Sequence, residues 1–189
     1  ALQQALEQRN LVCVKLPGMA IAGPQQPEHA SQQLRSAMQN ADICIFTSIN
    51  AIEQSFLLLS DIAIPVQDWP LLAVLGQGSW QCLHEHLQRA TSNDVRVIAP
   101  PADSEHNSEG LLQHSVMQNV NRKKVLILNA PGGRDKLLKT LQQRGANVRE
   151  LGVYRRVPPQ LADTTLKTIA AWSDGLLTVW TSSASIRFL

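Results

Sequence analysis

Apolar runs of strand length alternate with amphipathic stretches along almost the whole of this chain. A helix-period stretch between successive strands restricts it to α/β folds with largely parallel sheets. The spacing predicts strands over Leu11–Leu16, Asp42–Thr47, Leu71–Leu75, Val95–Ala99, Lys124–Asn129, Asn147–Tyr154 and Gly175–Thr181. Between them, Ser31–Met38, Ala51–Leu59, Ser79–Arg89, Ser108–Asn119, Arg134–Arg144 and Leu161–Trp172 read as helices, and the opening Leu2-Gln3-Gln4-Ala5-Leu6 is already helix-like. Gly145 suits the end of its helix, where a left-handed residue is often needed.

One junction occurs twice. Ile43-Cys44-Ile45-Phe46-Thr47-Ser48-Ile49-Asn50-Ala51-Ile52 and Leu177-Thr178-Val179-Trp180-Thr181-Ser182-Ser183-Ala184-Ser185-Ile186 are each an apolar strand running through Thr-Ser into a helix. The duplication favours two domains over one at 189 residues. Two stretches interrupt the alternation, Pro17–Pro24 and Tyr154–Pro159. Laid side by side they form a two-stranded linker, residues 17–24 with 152–159. The linker separates a continuous α/β domain, 25–151, from a discontinuous one built from 1–16 and 160–189. The chain opens inside a helix without an initiating Met and stops inside another at Arg187-Phe188-Leu189. Both natural ends are therefore expected to lie beyond it, which leaves the terminal domain incomplete.

Lys plus Arg exceeds Asp plus Glu by 17 − 15 = 2. That balance is far from the concentrated basic charge of a nucleic-acid binder, so affinity for anions must be local. No apolar run approaches the roughly 20 residues that span a bilayer, so no membrane partner is expected. Cys13, Cys44 and Cys82 are odd in number and widely spread, which suits reduced thiols and a cytoplasmic location.

The repeated Thr-Ser junctions carry the chemistry. A hydroxyl at the start of a helix caps one amide, while its neighbours form a ready site for an anion. Thr47 and Ser48, with Asn50, and Thr181 and Ser182, with Ser183 and Ser185, are thus candidates to hold carboxylates; plain helix capping is the alternative. Gly76-Gln77-Gly78-Ser79 marks a second kind of junction, open to close ligand approach or simply a tight turn. It lacks the third glycine of a dinucleotide fingerprint, and no acidic residue stands clearly at the end of the next strand. Gly132-Gly133-Arg134-Asp135-Lys136 puts cations at a helix start, against the helix dipole, so an anionic ligand or local compensation by Asp135 must favour them. Cys82, His84 and His86 share a helix but show no third ligand nearby, so no metal is expected. His29, His106 and His114 read as surface residues, and no Ser-His-Asp or Cys-His arrangement emerges. Tyr154, the only tyrosine, stands where a strand enters the second linker beside Arg155 and Arg156. A phenol lining a cleft can pass a proton or steady a leaving hydroxyl; packing at a seam is the alternative.

The order of these motifs resembles the uroporphyrinogen-III synthase family. The residues that carry the resemblance are Phe46-Thr47-Ser48-Ile49-Asn50-Ala51-Ile52, Gly76-Gln77-Gly78-Ser79, Asn107-Ser108-Glu109-Gly110-Leu111, Gly132-Gly133-Arg134-Asp135-Lys136-Leu137, Val153-Tyr154-Arg155-Arg156 and Thr181-Ser182-Ser183. The resemblance implies two small parallel-sheet, flavodoxin-like domains joined by a two-stranded linker. It implies a cyclising hydro-lyase that needs no cofactor; the sequence itself adds the expectation of a cytoplasmic protein and demands no more than a monomer. The substrate would be hydroxymethylbilane, a linear polycarboxylate bound between the domains and closed to uroporphyrinogen III with loss of water and inversion of ring D. Thr47, Ser48, Asn50, Gly76, Gly78, Ser79, Ser108, Gly132, Arg134, Thr181, Ser182 and Ser183 would bind its acetate and propionate arms, and Tyr154 would assist departure of the hydroxyl. Ile49 stands where the family often has Pro, and Ser79-Trp80 where it usually has Thr and a small residue. A non-catalytic module that closes on a small anion is the alternative function; a dehydrogenase is disfavoured by the missing fingerprint.

Overall fold

The computed structural model describes residues 2–14, 16–60, 69–90, 95–132, 135–172 and 179. The chain divides into two compact units, Gly23–Arg155 and a second made of Ala1–Ala22 with Arg156–Leu189.

In the first unit five parallel strands form one sheet in the order β4-β3-β2-β5-β6. They are β2 (Ile43–Phe46), β3 (Leu71–Val74), β4 (Val97–Ile98), β5 (Lys124–Asn129) and β6 (Asn147–Gly152). Counted along this unit the order is 3-2-1-4-5, whereas a flavodoxin in simple chain order reads 2-1-3-4-5. Both are doubly wound, and both put the ligand crevice where the winding reverses, at the carboxyl ends of the strands. Here that switch point lies between β2 and β5, which pair from Ile43 with Val125 to Phe46 with Leu128.

Side chains alternate between the two faces of the sheet, so each buried strand feeds two cores. Ile43, Ile45, Ala73, Val125 and Ile127 pack with Leu111, Leu112, Met117, Leu137 and Leu141. These last five come from α5 (Ser108–Leu111), its C-cap Leu112, α6 (Ser115–Gln118) and α7 (Lys136–Gln143). The intervening Cys44, Phe46, Leu72, Val74, Leu126 and Leu128 are also buried. They serve the other face, with the buried sides of α2 (Pro27–Gln39), α3 (Ile49–Leu58) and α4 (Gln77–Ala90). Full burial of one such Leu or Phe stabilises the fold by about 1.5–3 kcal/mol, so unbroken apolar runs at β2, β3 and β5 dictate the centre of the sheet.

Several boundaries move for identifiable reasons. Helix α2 begins at Pro27 rather than Ser31, because proline suits the first helical position. The expected helix Ser108–Asn119 is two single turns. His114 adopts an extended backbone between them, and its Nδ1 accepts the Val116 amide. Arg144 at the end of α7 then binds the carbonyls of Leu112 and Met117, both at 2.8 Å, which fixes the two turns as separate pieces.

In the second unit, α1 (Leu2–Glu7) and α8 (Asp163–Ala170) are helical. The expected strand Leu11–Leu16 is not one: its described residues are irregular, and Leu11 and Val12 are exposed. No strand lies beside it among the described residues, and an apolar run without a partner has nothing to pair its backbone. The strand Gly175–Thr181 falls, except for Val179, outside the described residues. The two interrupting stretches contain β1 (Ala20–Ala22) and β7 (Arg155–Val157), which pair in a two-stranded sheet. The Arg155 side chain donates from Nε to the Gly23 carbonyl at 3.1 Å.

Candidate active site

Because the five strands are parallel, the turns that follow them gather on one rim, and the described candidates of the sequence lie there. At the switch point, Thr47 leaves β2 with both its amide and its hydroxyl donating to the Leu128 carbonyl, at 3.1 and 3.0 Å. That double tie holds the turn against β5. Ser48 follows as the N-cap of α3, and its Oγ accepts the Ala51 amide at 3.1 Å. The Thr47 proton is therefore already directed to the chain itself, and the Ser48 hydroxyl already caps. What the first turn of α3 offers an anion is the amides of Ile49 and Asn50, which precede any possible intrahelical acceptor. Asn50 is half-buried beside them.

Tyr154 enters the same place from the end of β6, where Val153 donates its amide to the Asn129 carbonyl at 3.0 Å. The ring is 3% exposed, and the phenol oxygen lies 3.1 Å from Ser48 Oγ. This contact joins two residues far apart in the chain, each singled out for a different chemical reason.

The remaining turns close the rim. Gly76 and Gly78 open α4, where the Trp80 amide donates to the Gly76 carbonyl at 2.9 Å. A Cβ added at Gly76 would lie 3.3 Å from His106 Cβ, a tight approach that explains why this position carries no side chain. One added at Gly78 would sit 3.5 Å from Ile49 Cδ1, in ordinary contact, so α3 and α4 start side by side. Ser79 is half-buried in the first turn of α4. Trp80 stacks on His84 of its own helix with ring centroids 4.4 Å apart. Ser108 opens α5, a single turn whose cap is Asn107, with Oδ1 accepting the Gly110 amide at 3.0 Å. Gly110 backs directly onto the Glu105 carbonyl, which leaves no room for a side chain. Gly132 stands exposed after β5 at φ +79°, a left-handed conformation that glycine tolerates best.

The cationic start of α7 is resolved in part. Lys136 pairs with Glu109 at 3.0 Å, and Asp135 pairs with Lys139 at 3.2 Å. The Glu109–Lys136 pair ties the turn after β4 to the turn after β5. It was not foreseeable locally, because the partners come from separate motifs. His106, read from sequence as a plain surface residue, stands on the rim against Gly76. Arg134, Thr181, Ser182 and Ser183 lie outside the described residues.

His86 stacks on Phe56 with centroids 4.6 Å apart, and among the described residues no group of three or more His, Cys, Asp or Glu is placed to hold a metal. Burial pushes the Cys44 thiol far up, away from any reactive thiolate form, and raises that of Cys82 too, helped by Glu53 and Glu85. Among the described residues, no helix is long and apolar enough to cross a membrane.

Fold and rim together define a doubly wound α/β protein whose switch-point rim carries two helix starts and a buried phenol. Structural likeness agrees with that fold. The uroporphyrinogen-III synthase of Thermus thermophilus, in a mutant crystal form, matches 83% of this chain and 58% of its own with a TM-score of 0.61 at 16% identity. The chain belongs to the uroporphyrinogen-III synthase family: the family model described as uroporphyrinogen-III synthase HemD matches residues 1–188. The uroporphyrinogen-III synthase of Proteus mirabilis is 40% identical over 92 residues, 48% of this chain and 43% of that protein. A putative uroporphyrinogen-III synthase of Methanothermobacter thermautotrophicus is 28% identical over 163 residues, 84% of this chain and 61% of that protein. The chain thus spans about half the length of the curated relatives it matches.

Proposed function

We propose that this protein is a cofactor-independent tetrapyrrole cyclase. It takes the linear hydroxymethylbilane, expels its terminal hydroxyl as water, and closes the macrocycle to uroporphyrinogen III with ring D inverted. Loss of the hydroxyl leaves an electrophilic azafulvene, and ring D attacks through a spiro intermediate that reverses its orientation. The substrate is reactive by itself, so the protein's task is to hold it so that one carbon attacks and not another.

What supports this reading is that the described residues of the motifs that carry the resemblance stand on turns of one rim. Acetate and propionate arms suit the amides that open α3 and α4, near Thr47, Ser48, Asn50, Gly76, Gly78 and Ser79, with Ser108 and Gly132 on neighbouring turns. Arg134 and the second Thr181-Ser182-Ser183 junction are further proposed arm contacts by sequence. Tyr154 is the proposed acid that steadies the departing hydroxyl. No cofactor enters this chemistry. We further take the protein to act as a monomer in the cytoplasm, a state that sedimentation of the purified protein would test.

The functional test is an isomer-resolved assay. Hydroxymethylbilane given to the protein is expected to yield predominantly the type III isomer after oxidation and chromatography. Only the spontaneous type I product, with or without binding, would sink the enzyme reading and favour a non-catalytic module.

A further inference from the structure

Sequence gives Ser48 a substrate arm to hold, yet its hydroxyl already makes two contacts within the protein. A serine hydroxyl has one proton and two lone pairs. The Ala51 amide occupies one lone pair at 3.1 Å, and the Tyr154 phenol takes the proton or the other lone pair at 3.1 Å. The serine itself cannot drift. Thr47 on one side is bound twice to the Leu128 carbonyl, and on the other the Ser48 carbonyl accepts the Ile52 amide at 3.2 Å. A fixed hydroxyl therefore meets a buried phenol at the switch point, where ligands bind in doubly wound sheets.

We infer that Ser48 is a positioning residue for Tyr154, and that its hydroxyl transmits the fixed frame of the β2–α3 turn to the phenol. The inference rests on the reading in which Tyr154 assists departure of the hydroxyl, and it assigns Ser48 a role in aiming that group rather than in binding an arm. The separation is long for two hydroxyls, whose bonds usually lie near 2.7–2.8 Å. Such contacts commonly shorten when substrate arrives, so the bond is poised to tighten in the complex.

Tyr154 is the only tyrosine in the chain, so a label on the phenol carbon bearing the oxygen gives a single resonance that reports its hydrogen bonding. Two variants remove the Ser48 hydroxyl: Ser48→Ala, which also loses the cap, and Ser48→Gly, which keeps helix-start stability nearly intact. Both are expected to shift that carbon resonance, and Ser48→Thr is expected to restore it. With hydroxymethylbilane, Ser48→Gly should lower kcat about tenfold or more with little change in KM, as misplacement of a catalytic group does. In a Tyr154→Phe background the same substitution should leave kcat unchanged. An unshifted resonance in folded Ser48→Gly, or an undiminished kcat effect without Tyr154, would overturn the positioning role. Should the resonance shift while no variant, nor the parent protein, makes the type III isomer, the Ser48–Tyr154 coupling stands and the catalytic reading falls.

Discussion

Ser55 sits in the middle of α3 with 1% of its surface exposed, and its Oγ finds no hydrogen-bond partner among the described residues. A buried hydroxyl without a partner has lost water and gained nothing in return, a cost of about 1–3 kcal/mol in proteins. Ser55→Ala removes that hydroxyl and nothing else of size, so urea unfolding is expected to show a gain of about 1 kcal/mol; a loss of similar size would mean that the hydroxyl has a partner. From sequence this serine looks like any other polar residue of an amphipathic helix, because its burial is set by α2 and α4 packing on either side. The candidate serine and threonine of the rim are legible for the opposite reason. Thr47 and Ser48 end an unmistakable apolar strand, and a hydroxyl there is a cap by local rules. Sequence does not show where the hydroxyl protons go: Leu128 and Tyr154, the acceptor and the partner, arrive from distant strands.

At the scale of elements, the sheet reads clearly where a strand is buried on both faces. The run Lys124–Asn129 matches β5 residue for residue, and β2 and β3 differ from expectation only at their ends. Edge elements are less legible, since β6 is largely exposed and β4 shrinks to two residues. The Ser108–Asn119 helix broke because Arg144 and Gly110 answer to neighbours that a periodicity cannot contain. The opposite rim supplies a test of how strands are fastened. Asp42, just before β2, accepts the Lys124 amide at 2.8 Å and Lys123 Nζ at 3.4 Å. The Lys124 amide is the main reason that the Asp42 carboxyl lies below its ordinary value of 3.8; the small desolvation effect opposes it, and Lys123 adds to the lowering. A carboxylate with a depressed folded value contributes stability that is fully present above its unfolded value and lost as pH falls through the folded one. Asp42→Asn is therefore expected to be less stable than the parent at neutral pH, by less than about 1 kcal/mol because the group is exposed and screened. The difference should shrink below pH 3.8 and close as the parent's carboxyl protonates, which urea unfolding as a function of pH would show. A difference that grew on acidification would refute the assignment.

For the whole molecule, the two units differ in what the described residues bury. Every buried residue among them lies between Ala30 and Tyr154, inside Gly23–Arg155, while α8 buries none and Leu11 and Val12 of the other unit are exposed. Sequence leads to the expectation of a continuous domain between two Pro-containing stretches that break the alternation of strands and helices, since prolines interrupt both helix and ladder. It could not rank the units by burial, since Leu11–Leu16 is as apolar as several true strands. If stability follows burial, the excised Gly23–Arg155 segment should fold alone, with both faces of its sheet already covered by its own helices. It is expected to unfold in urea as one cooperative transition with a slope of about 1–3 kcal/mol/M, and to keep a structured near-ultraviolet circular dichroism signal from its Trp69, Trp80 and Tyr154. A gradual transition with native-like far-ultraviolet but featureless near-ultraviolet signal would instead mean that the sheet needs the remainder of the chain to fix its packing.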